Sequence, residues 1–181
     1  LDHGTQLDHP DLNVSSKSYD TETGRSPSQI WGNHGTACSG IISAKTNNNL
    51  GVAGIAPNCP VMSISNQLMG TSDAPQKRAD GFNWAWRNVI SNSWRSSTFS
   101  ELLEDAIQSA MTNGRNGLGC VVTFSAGNYD SNTVGYPARS LPDIIVVGAL
   151  SLSGKRKSST TIDNEGWWGS DYGTQLDIMA P

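Results

Sequence analysis

Three residues of this 181-residue chain have types that fit a single chemistry: Asp2 in Asp2-His3-Gly4, His34 in Gly32-Asn33-His34-Gly35-Thr36, and Asn128 in Ser125-Ala126-Gly127-Asn128. Acyl transfer to a hydroxyl needs a general base, a carboxylate that orients the base, and donors for the oxyanion that develops. Histidine suits the first role because its ordinary pKa lies near neutrality. A side-chain amide at the end of a strand suits the last. A single loop histidine is ordinarily a solvated residue. Here, Asp, His and Asn occur in that order, each on a turn that carries glycine, and glycine permits close backbone approach.

The elements that must position these groups can be read from the pattern of apolar residues. A helix is expected from His34 to about Lys45, carrying Ile41, Ile42 and Ala44, and a strand from Pro60 to Leu68. Gly70 to Arg78 reads as a polar link, Asp80 to Trp86 as a short helix and Val89 to Trp94 as a strand. A longer helix begins at Ser100, with Glu101 and Glu104 in its first turn and Leu102, Leu103, Ala106, Ile107, Ala110 and Met111 on its apolar face; Gly114 ends it. Cys120–Phe124 and Ile144–Val147 read as fully buried parallel strands, and residues 3–33 as polar loop. Strand and helix alternate, so the fold class is α/β, with a mainly parallel sheet flanked by helices. In such sheets functional groups gather beyond the carboxyl ends of the strands. Trp167 and Trp168 are placed on a surface loop.

Composition narrows the function classes. The net charge of −4 gives a nucleic acid or an anionic membrane no electrostatic attraction, so neither is an expected partner. No apolar run has the length of a membrane span. No Gly-x-Gly-x-x-Gly or Gly-Lys-Thr/Ser loop follows a strand, which argues against a nucleotide-binding domain. Cys38, Cys59 and Cys120 lack metal-ligand spacing, and buried free thiols are expected over one disulfide.

Over nearly its whole length the chain resembles the subtilisin-like serine proteases. Asp2-His3-Gly4, His9-Pro10-Asp11-Leu12, His34-Gly35-Thr36, Asn47 to Pro57, Ser125-Ala126-Gly127-Asn128, Gly135-Tyr136-Pro137-Ala138 and Asp177-Ile178-Met179-Ala180-Pro181 carry the resemblance. It implies a subtilisin-like fold and an endopeptidase with Asp2 as the orienting carboxylate, His34 as the base and Asn128 as the oxyanion donor; His9 is structural. The family places its serine in a Gly-Thr-Ser-x-Ala turn beyond Met-Ala-Pro, so the chain is expected to be a partial catalytic domain, cut at both ends and inactive alone. Gly70-Thr71-Ser72-Asp73-Ala74 spells the same pattern, but lies where the family has a substrate-flanking loop.

The resemblance further implies a polypeptide substrate bound by Ser93, Trp94 and Arg95 and by Ser125, Ala126 and Gly127, no catalytic cofactor, and secretion from the cell. Arg95 stands where members often have glycine, which supports the alternative of an inactive subtilase-like binding or regulatory module. A structural calcium is implied at Asp11, Asn48, Leu50 and Val52, through a carboxylate, an amide and two carbonyls, on a loop one residue longer than the usual one.

Overall fold

The computed structural model describes residues 1–86 and 89–181. The chain forms two compact units, Leu1–Ala85 and Trp86–Pro181.

The first unit holds β1 (Tyr19–Asp20), α1 (His34–Ser43), β2 (Ile64–Ser65) and α2 (Ala74–Trp84). β1 and β2 pair in parallel, Tyr19 opposite Ile64 and Asp20 opposite Ser65, and Asp2 joins them by a parallel bridge to Ser65. β2 is much shorter than the strand expected over 60–68, and β1 lies within the segment expected to be loop. α2 begins earlier than expected and absorbs most of the polar link. Its buried positions are Ala74, Arg78, Ala79, Gly81 and Phe82, so an arginine within the inward stripe masks the apolar periodicity. Pro75 in the first turn was the available signal.

α1 starts where expected but buries a different face. Gly35, Ser39 and Ser43 point inward, while Ile41 and Ile42 are exposed. Small residues let backbones come close: a Cβ on Gly35 would lie 2.4 Å from the Gly4 carbonyl oxygen. The carbonyls at the end of α1 are satisfied by N–H groups of the next segment: Gly54 donates to Ala44, Ile55 to Ile41 and Ala56 to Ile42.

The second unit is a four-stranded parallel sheet in the order β3 (Val89–Asn92), β4 (Val121–Ser125), β5 (Ile145–Ala149), β6 (Ile178–Ala180), with α3 (Glu101–Gly117) packed on β4. Register sets Ile90 beside Val122 and Phe124 beside Val146. These side chains are buried, whereas Val121 is exposed, so the strands alternate and are not buried throughout.

Ser100 caps α3 by accepting from the Leu103 N–H at 3.3 Å. Leu103, Ala106, Ile107 and Ala110 are buried; Leu102, expected on that face, is exposed. Regular helix ends at Gly114 (φ −58°, ψ 162°), after which Arg115 and Asn116 are left-handed. The three cysteines are free, and Cys120 is buried, Cys38 half-buried and Cys59 exposed, so burial holds for one of them.

The loop carrying the adjacent tryptophans is built around an ammonium group. Lys157, almost fully buried, donates to the carbonyls of Ser158 (3.0 Å), Glu165 (2.7 Å) and Trp168 (3.2 Å), and its Nζ lies 3.3 Å from Asp163 Oδ1. Burying a charge is costly unless it is paired and hydrogen-bonded, and this cage does both. The Trp168 indole faces Lys157 and donates to Glu165 Oε2 at 2.8 Å, leaving Trp167 exposed.

Candidate active site

In the first unit Asp2 and His34 meet. The Asp2 N–H donates to the Ile64 carbonyl (3.1 Å), and the Asn66 N–H donates to the Asp2 carbonyl (2.8 Å), which fixes the backbone of Asp2 beside β2. Gly4 (φ +92°) turns the chain there, and the absence of a side chain on Gly35 lets the start of α1 settle against that turn. Thr5 and Ser39 then share a hydrogen bond at 2.7 Å, and the Gln6 N–H donates to Thr36 Oγ1 at 3.0 Å.

The His34 imidazole, at the first position of α1, places Nδ1 2.8 Å from Asp2 Oδ1 and 3.0 Å from Oδ2. The same carboxylate accepts from the His3 N–H at 2.7 Å. Asp2 is mostly buried and His34 half-exposed, so the pair has a shielded carboxylate and a partly exposed imidazole. With Nδ1–H donating to the carboxylate, Nε2 carries the free lone pair, the tautomer a general base requires.

Two neighbours went unrecognised in the sequence. His3 packs edge-on against His34, with ring centroids 6.1 Å apart. Cys38 Sγ lies 3.7 Å from Nδ1 and 3.9 Å from Nε2 of His34. Its spacing of four residues from His34 on a helix was the signal for that contact. Asp2, His34 and Cys38 thereby bring ligand-type atoms within 4.8 Å of one another. Ser72 is exposed in the turn before α2, and among the described residues no hydrogen bond joins it to His34. His9 accepts the Asp11 N–H on Nδ1 at 3.3 Å, a bond that shapes its own turn.

Asn128 belongs to the second unit. β4 ends at Ser125, the Ala126 N–H donates to Val147 and the Gly135 N–H donates to the Ala126 carbonyl, both at 2.9 Å. Gly127 adopts φ +117°, which only glycine takes up readily, and the next residue, Asn128, is exposed. Among the described residues no side chain or backbone group engages the Asn128 amide. Ser93 is half-buried. The Trp94 indole is buried edge-on against Phe124 and donates to Asn92, so Trp94 can offer a peptide only its backbone. Arg95 lies with its guanidinium over the Tyr129 ring (4.4 Å) and 3.5 Å from Asp171.

Beyond the turn, Asp130 accepts from the Ser159 N–H (3.0 Å), from Arg156 Nη1 (2.6 Å) and from the Ser159 hydroxyl (2.9 Å). In that order of importance these donors lower its pKa to about 2. A depressed carboxylate pKa contributes stability above the unfolded-state value of 3.8 and loses it as pH falls toward about 2. The Tm gap between the wild type and Asp130→Asn is therefore constant from neutral pH down to roughly pH 5 and closes between about 4 and 2. A gap unchanged at pH 2 would contradict the assignment.

The residues expected to hold calcium do come together, with the wrong atoms facing the carboxylate. Asn48 Nδ2 donates to Asp11 Oδ1 at 2.7 Å, while Asn48 Oδ1 accepts the Leu50 N–H at 3.2 Å. The Val52 N–H donates to Asp11 Oδ2 at 3.3 Å. Asn47, Asn49 and Gly51 are left-handed, which accounts for the Asn-rich sequence and wraps the loop closely on Asp11. As arranged, this donor set does not fit a cation: both carboxylate oxygens are taken up by N–H donors, and Asn48 turns its amide nitrogen, not its oxygen, toward them.

The profile of the Subtilase family matches residues 1–181. The chain belongs to the subtilase family. It is 33% identical over 190 residues to Subtilisin NAT of Bacillus subtilis subsp. natto, covering 100% of this chain and 45% of that protein. It is also 33% identical to Subtilisin of Bacillus pumilus, covering 62% of it. The segment thus spans about half to two thirds of the length of these relatives. Among solved structures, a cold-adapted subtilisin-like serine proteinase superposes with a TM-score of 0.73 at 22% identity, over 99% of this chain and 60% of that one. Sphericase does so with a TM-score of 0.66 at 24% identity, over 100% of this chain and 64% of its own. The α/β fold with parallel strands is that of these proteases.

Proposed function

We propose that the protein containing this subtilase segment is a serine endopeptidase that hydrolyses peptide bonds through Asp2, His34 and a serine located beyond Pro181. The observation that carries this reading is the Asp2–His34 pair, with Nδ1 held by the carboxylate at 2.8 Å and the imidazole half-exposed. In this scheme the serine hydroxyl attacks the scissile carbonyl carbon and its proton passes to Nε2 of His34. Asp2 stabilises the imidazolium that forms. The side-chain amide of Asn128 donates to the oxyanion. His34 then returns the proton to the leaving amine, and water, deprotonated by His34, hydrolyses the acyl-enzyme. No cofactor takes part. Ser93, Trp94, Arg95 and the Ser125–Gly127 segment are assigned to substrate binding, and the relatives suggest a secreted protein; among the described residues no helix is long and apolar enough to cross a membrane.

Fluorophosphonate labelling of the full-length protein tests this reading. A single labelled serine beyond Pro181, with labelling abolished in His34→Ala, is the expected result. No labelling, or labelling indifferent to His34, overturns it in favour of an inactive binding module. Arg95 was the sequence feature favouring that alternative, and its guanidinium is engaged by Tyr129 and Asp171.

Calcium at the Asp11 loop is left out of this reading, because the carboxylate is already served by N–H donors. Chelation with EDTA is accordingly expected to leave Tm within about 1 °C, since only a ligand bound to the native state shifts it. A fall of several degrees, reversed by calcium, would show that the loop rearranges around an ion.

A further inference from the structure

We propose that Asp171 is a positioning residue for the Asn128 turn, and that Arg95 is the strap that ties the substrate-binding segment to it. This rests on the reading of Asn128 as the oxyanion donor.

Asp171 is completely buried and surrounds the turn on which Asn128 sits. Its Oδ1 accepts the N–H groups of Tyr129 (2.8 Å) and Ser131 (2.9 Å), and its own N–H donates to the Gly127 carbonyl (2.8 Å). Three hydrogen bonds from one residue therefore bracket Asn128 on both sides. The fit is tight enough that a Cβ on Gly127 would lie 2.1 Å from Asp171 Oδ2. Among the described residues that oxygen accepts no hydrogen bond, a costly state for a buried carboxylate. The charge facing it is the Arg95 guanidinium, with Nη1 at 3.5 Å.

Arg95 reaches Asp171 from the segment that the family uses to pair with peptide. Its Cβ would lie 3.2 Å from a Cβ on Gly135, its neighbour Ser96 donates to the Tyr136 carbonyl at 2.8 Å, and its guanidinium stacks on Tyr129, the residue after Asn128. The side chain that breaks the family's glycine pattern is thus turned toward the oxyanion turn. With Arg95 in place the buried anion is balanced. Without it, the unbalanced carboxylate would settle differently against the N–H groups of the turn and shift the Asn128 amide, and binding energy would be lost selectively in the transition state.

The test is a double-mutant cycle in the full-length protease, assayed with a peptide p-nitroanilide. Asp171→Ala is expected to lower kcat about 10- to 100-fold, with KM within about twofold, because a donor displaced by a fraction of an ångström loses much of its effect. In an Asn128→Ala background the same substitution is expected to cost less than about threefold, since nothing remains to be positioned. Arg95→Met is carried through the same cycle and keeps the proposal testable if Asp171→Ala does not fold; its kcat loss, about 5- to 10-fold, is expected to vanish in the Asn128→Ala background. Equal losses in both backgrounds, or losses confined to KM, overturn the positioning role while leaving the oxyanion reading intact. An Asn128→Ala protein with unchanged kcat overturns both.

Discussion

Replacing His34 with alanine is expected to lower kcat of the full-length protein about 10⁶-fold with KM changed by no more than about threefold, a magnitude carried over from subtilisin itself. The physical reason lies in the pair geometry. Asp2 holds Nδ1 at 2.8 Å, which on the proposed reading leaves Nε2 as the base, with no second histidine placed to substitute. His3 sits edge-on to His34 with Nδ1 enclosed, and His9 is engaged with the Asp11 N–H. Asp2→Asn supplies the companion result. An amide nitrogen turned toward Nδ1 favours the opposite tautomer, so kcat is expected to fall about 10⁴-fold with the fold intact, as for the equivalent change in other serine proteases. Steady-state kinetics with a peptide substrate read both. A loss under about 10³-fold for His34→Ala would mean that another group takes the proton, and the assignment of His34 as base would fall.

Asn128→Ala is expected to lower kcat about 10²- to 10³-fold and to leave KM essentially unchanged, again the size seen when a subtilisin loses this kind of donor. Asn128 is exposed and its side-chain amide makes no bond to the described residues, so its removal should shift Tm by no more than about 2 °C. That combination separates a donor used only in the transition state from a residue that holds the turn. A large fall in Tm would identify Asn128 as structural, and an unchanged kcat would remove it from the oxyanion site.

The two outcomes also distinguish the units of the chain. His34 and Asp2 lie in Leu1–Ala85 and are held by β2 and the start of α1; Asn128 lies in Trp86–Pro181 and is held by the end of β4 and by Asp171. On the proposed reading, each unit carries its candidate residues at the carboxyl end of a strand or at the start of a helix. These are the places where parallel α/β folds expose polar groups.

Much of this was determined by the sequence alone. Asp2, His34 and Asn128 could be picked out because their residue types occur with glycines at short range, and at Gly4, Gly35 and Gly127 an added Cβ would meet a neighbouring atom at 2.4 Å or less. α3 and the strands β3 to β5 were legible because apolar residues recur with a period that local geometry imposes. Tertiary structure alone decided the rest. α1 buries its Gly35-Ser39-Ser43 stripe and leaves two isoleucines outside, because the neighbouring backbone at Gly4 admits only small residues. Asp11 is enclosed by N–H groups of a loop that wraps onto it because Asn47, Asn49 and Gly51 turn left-handed. Asp171 reaches Tyr129 across 42 positions, and Arg95 comes to it from 76 positions away. A side chain's partners at such separations depend on how whole segments pack, and that packing leaves no periodic trace in the sequence.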